Sequence, residues 1–328
     1  MPVHPQAQQV LEKGKLLPSL ETIGVEAARQ RCIEAFCSSE PPVKVKSVQD
    51  RILKLDDQLN RQGVKSLSRD LPPDRVPVRL YKPEGPAEMP VLVYFHGGGF
   101  VVNDLDTHDG ICRRLADKGR CIVISADYAR APEHPYPEAV QQCYAVTSWV
   151  AEHAGEFGGD PDRVAVGGDS SGGTLAAGIA LMARDLGFPR ICFQVLIYPA
   201  VNHCTPGTPS YRQFGTGYSL TRPIMEWFYR LYLGDTIDPD APYLFPLRAD
   251  DHTSLPPAHI VTAEYDPLRD EGEAYAERLK AAGIPVTEKR YRGMIHGFIV
   301  MHRSIDMGVQ ALSEIGNVLK NKFKAVQS

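Results

Sequence analysis

The sequence predicts an α/β fold, an eight-stranded and mostly parallel sheet flanked by helices. Three observations predict it. From Cys121 onward apolar β-rich runs alternate with helical stretches, the pattern left by the crossover connections that parallel strands require. Ahead of that, β-rich runs follow one another from Val43 without helices between the first of them, so antiparallel strands are expected only near the start. The apolar run Arg163 to Gly167 then ends in Gly168-Asp169-Ser170-Ser171-Gly172-Gly173, where residues without a Cβ let a strand reverse into a helix within a few positions.

In chain order, residues 1–45 carry two expected helices, around Gln6 to Leu17 and Gly24 to Cys37, and a break at Pro41-Pro42; they form an appendage. Expected strands are Val43 to Leu55, Val76 to Tyr81, Pro90 to Phe95, Cys121 to Ala126, Arg163 to Gly167 and Cys192 to Tyr198. Helices are expected over Glu138 to Glu156 and Thr174 to Leu186, so residues 46–199 make the first part of the core. Residues 200–238 interrupt the alternation with polar turns and an amphipathic segment, Arg222 to Leu233, an insertion over the top edge of the sheet. The core resumes over 239–328 with a strand at His259 to Ala263, a helix at Asp270 to Ala282, a strand at Val286 to Tyr291 and a final helix from about Ser304 to Lys324.

Composition narrows the function. With 328 residues and 43% hydrophobic content the chain can bury a large core and cover an active site. Lys and Arg number 36 against 40 Asp and Glu, a net charge of −4 without long runs of one sign, which predicts neither a nucleic-acid partner nor a stable membrane association. The N-terminus lacks a basic stretch followed by an apolar one, and no apolar run is long enough to span a bilayer, so a cytoplasmic protein is expected. Seven scattered cysteines, without C-x-x-C spacing, argue against a disulfide framework or a zinc site. Cys121 and Cys192 lie in strand-like runs and read as small buried hydrophobes.

The chemistry-bearing residues fall at strand ends. Gly168-Asp169-Ser170-Ser171-Gly172 fits the G-x-S-x-G nucleophile elbow, whose turn exposes the serine hydroxyl above the sheet and aims the next N–H groups at a developing oxyanion. His96-Gly97-Gly98-Gly99-Phe100 follows an apolar strand without the Lys-Ser/Thr pair of a phosphate loop. Its main-chain N–H groups suit an oxygen that turns negative only in a transition state. His96 sits at the strand end and reads as a brace for the loop, not as a catalytic base.

A serine hydroxyl needs an imidazole to take its proton and a carboxylate to orient that imidazole. In an α/β-hydrolase sheet these partners follow later strands in the order Ser, Asp or Glu, His. Asp266 lies directly after a predicted strand and is assigned as the acid, with Glu264 as the alternative. Asp270, with Glu273 three residues on, has capping-box spacing and is expected to cap a helix. Gly293-Met294-Ile295-His296-Gly297-Phe298 places a histidine between the last strand and the final helix, and His296 is assigned as the base. His302, near or inside that helix, is expected to be ordinary.

Five segments, His96-Gly97-Gly98-Gly99-Phe100, Asp127-Tyr128-Ala129-Arg130-Ala131-Pro132-Glu133-His134-Pro135, the 168–173 elbow, Asp266-Pro267-Leu268-Arg269-Asp270 and His296-Gly297-Phe298, occur in an order that resembles the bacterial hormone-sensitive-lipase-like carboxylesterases. The resemblance covers nearly the whole chain. It implies the α/β-hydrolase fold, a small helical cap made of residues 1–45 and 200–238, a Ser170-Asp266-His296 triad, and an oxyanion hole from the N–H groups of Gly98, Gly99 and Ser171. Two departures stand out. Many members read Tyr-Arg-Leu-Ala-Pro-Glu where this chain has Tyr128-Ala129-Arg130-Ala131-Pro132-Glu133, so the role of that arginine does not pass to Arg130. Ser171 stands where alanine is frequent, adding a hydroxyl beside the expected acyl site.

The function expected is hydrolysis of short- to medium-chain acyl esters through an acyl-enzyme, with a small-molecule ester as substrate and no metal or organic cofactor. Homo-oligomerisation is compatible with it. Phe100 and, on the amphipathic segment, Met225, Trp227 and Phe228 are candidates to line the substrate pocket, with Leu231 and Tyr232 beside them; packing of that helix on the core is the competing expectation. Amidase or acyltransferase chemistry would use the same site, and plant gibberellin receptors resemble this family but lack the histidine. A trypsin-type protease is disfavoured, because there His and Asp precede the serine.

Overall fold

The computed structural model of the chain describes residues 2–37, 42–55, 75–205, 207–234 and 241–327. Pro41 of the expected break and residues 235–238 at the end of the expected insertion lie outside the described residues.

Among the described residues, eight strands form one sheet: β1 (Ser47–Lys54), β2 (Arg75–Lys82), β3 (Met89–Phe95), β4 (Ile122–Ala126), β5 (Gly159–Asp169), β6 (Phe193–Ile197), β7 (Ala258–Tyr265) and β8 (Val286–Ile295). Their order is β1-β2-β4-β3-β5-β6-β7-β8. β2 pairs antiparallel with both β1 and β4, and every later pairing is parallel. The antiparallel pairings are thus confined to those that β2, the second strand of the chain, makes. The α-helices among the described residues are α1 (Pro5–Gly14), α2 (Val25–Phe36), α3 (Asp109–Gly119), α4 (Glu138–His153), α5 (Ser171–Leu186), α6 (Pro209–Phe214), α7 (Arg222–Leu233), α8 (Arg269–Ala281) and α9 (Asp306–Gln327).

The central strands are covered on both faces, which is why they read as unbroken apolar runs. All seven residues of β3 are buried. Its side chains alternate between two cores: Val91, Val93 and Phe95 join α4, α5, α7 and α8 on one face. Leu92 and Tyr94 join α1, α3 and α9 on the other.

Three expectations are corrected. No helix is expected over α3, yet Ile111, Cys112, Leu115 and Ala116 make a buried stripe at helical spacing there, closed by Arg120 in the left-handed region at φ 51°. β8 runs past Tyr291 to Ile295, so His296 follows the strand directly. Asp270 does not cap its helix. α8 begins one residue earlier with Leu268 at the N-cap, and the Asp270 carboxylate instead accepts from the Ser210 N–H at 2.7 Å, while Glu273 pairs with Arg290.

Because β3, β5, β7 and β8 run parallel, the loops that leave them emerge at the same edge of the sheet. That edge holds every residue assigned a chemical role from the sequence.

Candidate active site

The turn between β5 and α5 forces Ser170 into φ 55°, ψ −122°, a conformation that costs a non-glycine residue about 1–3 kcal/mol. The turn is tight because the backbone of α5 meets the end of β3: a Cβ on Gly172 would lie 2.0 Å from the Phe95 carbonyl oxygen. Ser170 is held from both sides, its N–H donating to Ile197 O at 2.9 Å and its carbonyl accepting from Thr174 N at 3.1 Å.

Ser170 Oγ lies 3.0 Å from His296 Nε2, although 126 residues separate them. His296 Nδ1 lies 2.7 Å from Asp266 Oδ2. A carboxylate only accepts, so Nδ1 carries the proton and Nε2 is left to accept from the serine hydroxyl. Asp266 is fully buried, and its Oδ1 accepts from Leu268 N at 2.8 Å, which fixes the carboxylate in its loop. Glu264, the alternative acid, is turned elsewhere: its Oε2 accepts from Gly293 N at 2.7 Å and ties the end of β7 to β8. The His296 ring packs at 4.8 Å against Tyr198, and its carbonyl accepts from Ser219 Oγ at 2.8 Å.

Opposite the serine, Gly97 to Phe100 turn through positive φ at Gly98 (128°), Gly99 (59°) and Phe100 (64°). Gly97 is held at both ends of its peptide. Its N–H donates to Asp169 Oδ1 at 3.0 Å, and its carbonyl accepts from Asn103 Nδ2 at 3.1 Å and lies 2.9 Å from His96 Nδ1. Burial, with Arg130 and His108 nearby, lowers the His96 imidazole to about 3; it is therefore neutral and braces the loop, stacked at 4.3 Å on Tyr128. Arg130 itself donates to the Asn103 carbonyl. The Ser171 hydroxyl accepts from Phe100 N at 3.3 Å and so joins elbow to glycine loop. Among the described residues, the N–H groups of Gly98, Gly99 and Ser171 donate to no protein acceptor.

A cavity of about 190 Å³ opens on these groups, with mainly apolar walls. Of the candidate pocket residues, Phe100, Met225 and Phe228 line it; Trp227, Leu231 and Tyr232 do not. For Trp227 and Leu231 the reason is helical phase. Ile224, Met225, Phe228 and Tyr229 share the face of α7 that looks into the cavity, and Trp227 is buried on another face. Tyr232 instead stacks under Phe100 with ring centroids 3.9 Å apart. Leu20, Cys32 and Phe36 from the N-terminal segment complete the wall. Individually they carry no sequence signal beyond an apolar side chain. All seven cysteines are free thiols, and burial raises the Cys32 thiol to about 11. Among the described residues, no helix is long and apolar enough to cross a membrane, and no His, Cys, Asp and Glu cluster is arranged to hold a metal ion.

The sequence model of the alpha/beta hydrolase fold family matches residues 92–300, from the middle of β3 through the loop after β8. The chain belongs to the α/β-hydrolase family. Within this family it is 46% identical over 241 residues to the esterase LipI of Mycobacterium tuberculosis, covering 72% of this chain and 75% of that protein. It is 33% identical over 328 residues to an arylesterase of Saccharolobus solfataricus, covering 99% and 100% of the two chains. Among solved α/β-hydrolase structures, the hyperthermophilic esterase of Pyrobaculum calidifontis superposes with a TM-score of 0.87 at 38% identity, over 99% of this chain and 100% of that one. A thermostable esterase from Pseudomonas putida superposes with a TM-score of 0.88 at 35% identity, over 98% of each chain. These likenesses bear out the resemblance to hormone-sensitive-lipase-like carboxylesterases carried by the motifs.

Proposed function

We propose that this α/β-hydrolase is a carboxylic ester hydrolase in which Ser170 is the nucleophile, His296 the general base and acid, and Asp266 the residue that orients the imidazole. The observation that carries the reading is the continuous chain from Asp266 Oδ2 through His296 to Ser170 Oγ, 2.7 and 3.0 Å, ending at the cavity.

As Ser170 Oγ attacks the ester carbonyl, its proton passes to His296 Nε2, and Asp266 stabilises the resulting imidazolium. The carbonyl oxygen becomes an oxyanion and takes hydrogen bonds from the N–H groups of Gly98, Gly99 and Ser171. The last of these is at the N-terminus of α5, where the helix dipole favours negative charge. Collapse expels an alkoxide, protonated by His296. Water, deprotonated by the same imidazole, then attacks the acyl-enzyme and releases the acid. Every bond made or broken is accounted for by the chain, the ester and water.

Residues 1–45 and 200–238 act in this reading as a small cap, because both supply walls to the cavity. Its volume and apolar lining favour esters with short to medium acyl chains. The test is hydrolysis of p-nitrophenyl esters of graded length by the wild type and by Ser170→Ala. The expected result is a maximum at short to medium chains and a variant at background. Turnover retained by Ser170→Ala, or ligand binding without turnover of any ester, overturns the reading; a maximum at long chains with interfacial activation overturns the account of the cap.

A further inference from the structure

The residue ahead of the nucleophile has no part in the proton transfers above, yet its carboxylate is among the most elaborately held in the protein. Asp169 is 3% exposed. Its Oδ1 accepts from Gly97 N at 3.0 Å and from Tyr94 Oη at 2.8 Å. Its second oxygen closes against the same loop, since a Cβ on Gly97 would lie 2.5 Å from Oδ2. From the other side comes His108, fully buried at the start of α3, with Nε2 3.1 Å from Asp169 Oδ1. That contact is within ion-pair distance but out of line for a good hydrogen bond. The far nitrogen, Nδ1, lies 3.0 Å from Thr107 Oγ1, whose hydroxyl is itself tied to the Asp104 backbone.

We propose that Asp169 and His108 are positioning residues for catalysis: the carboxylate, paired with the buried imidazole, anchors Gly97 and thereby sets the N–H groups of Gly98 and Gly99 against Ser170. The inference rests on the reading of those N–H groups as oxyanion donors. Its logic is mechanical. Asp169 is joined by one peptide bond to Ser170 and by one hydrogen bond to Gly97, so a single side chain fixes the distance between nucleophile and donors. A displacement of about 1 Å there is enough to cost on the order of 10²-fold in rate.

The charge on Asp169 is what His108 protects. Burial works against the carboxylate, but His108 foremost, then the Tyr94 hydroxyl and the Gly97 N–H, outweigh it and keep the group below the usual carboxylate range. The other titratable groups that sense Asp169 are His96 in the glycine loop, Cys112 on α3, Tyr128 after β4 and Tyr198 after β6. Of these only His96 is a base, and burial holds it neutral. With His108 removed, burial dominates and Asp169 takes up a proton at higher pH. A protonated carboxyl is a poorer acceptor for Gly97 N–H, so turnover falls on the acid side.

The experiment compares His108→Leu, His108→Gln and wild type on a short-chain p-nitrophenyl ester, with kcat and KM followed from acid to neutral pH. Affinity for a short-chain alkyl trifluoromethyl ketone, which forms a tetrahedral oxyanion on the serine, is measured alongside. The expected result for His108→Leu is a kcat lower by about 10–100-fold with KM nearly unchanged. Affinity for the ketone falls in parallel and the acid limb of kcat moves to higher pH; His108→Gln, which keeps an N–H toward Asp169, recovers most of kcat. A folded His108→Leu with wild-type kcat and pH profile overturns the proposal. So does equal loss in both variants with the acid limb unmoved, which marks a merely structural histidine. Failure of the ester-hydrolase reading itself shows separately, as a wild type that does no more than Ser170→Ala.

Discussion

Arg29 on α2 grips Glu133, 104 residues further along the chain, with both of its terminal nitrogens, at 2.8 and 2.6 Å. The same guanidinium donates to the carbonyls of Val101 at 2.9 Å and Ala131 at 2.9 Å. It thus fastens the N-terminal segment to the glycine loop and to the 127–135 segment. Arg29→Ala is expected to lower unfolding free energy by about 1–2 kcal/mol, chiefly through the two carbonyl bonds, because Glu133 is half exposed and screened. Arg29 lowers Glu133 from 4.5 to about 2, so the ion-pair share is present above 4.5 and is lost as pH falls toward about 2. Urea unfolding of both proteins at neutral and acid pH checks it: the gap between them narrows in acid.

Gly99 has no room for a side chain. A Cβ there would lie 2.2 Å from Phe228 Cγ, and φ is +59°. Gly99→Ala is expected to lower kcat by roughly 10²–10³, the scale of a lost oxyanion donor. Adding Phe228→Ala removes the collision but not the strained φ, so part of the loss returns. A double-mutant cycle measures this directly, and strictly additive effects would contradict the contact.

Two carboxylates four residues apart after β7 are expected to part ways. Asp266→Asn should lower kcat on the order of 10⁴, because an amide no longer imposes the Nδ1–H tautomer on His296. Asp270→Asn should leave kcat close to wild type and lower stability, since its carboxylate bonds Ser210 N and Arg269 rather than the imidazole. Steady-state kinetics and thermal unfolding of the pair decide it.

Glu271 is fully buried on α8 and is pushed up to about 8 by burial, against the hydrogen bonds from Tyr211 and the Asn202 N–H. Between 4.5 and about 8 the unfolded chain has released this proton and the folded chain retains it, so stability falls as pH rises through that window. Glu271→Gln cannot titrate. The difference in unfolding free energy, variant minus wild type, should therefore grow more positive from acid to mildly basic pH, whatever its value at the start.

The residues proposed to carry the chemistry are legible at strand ends because position in an alternating pattern is local information. Ser170, Asp266 and His296 each follow a run of apolar residues, and the sheet brings them within hydrogen-bond reach. The glycine loop was readable for the same reason. What escaped is long-range. Nothing near His108 in the sequence indicates Asp169, nor does anything near Glu271 indicate Tyr211, because such pairs form only when helices pack. Trp227 was misplaced through phase: composition says that α7 is apolar, but tertiary packing decides which of its faces meets the cavity. Asp270 matched a capping pattern and was drawn away by Ser210, sixty residues distant.

The conformation of Ser170 sets the interests of fold and function against each other. At φ 55° and ψ −122° the backbone asks for glycine, and the chain keeps a serine. Ser170→Gly would relieve about 1–3 kcal/mol of strain and, on the proposed mechanism, leave a more durable protein without its nucleophile. On that mechanism this serine therefore trades durability for turnover. Lineages released from the need to hydrolyse should drift toward glycine at this position sooner than at the surrounding ones.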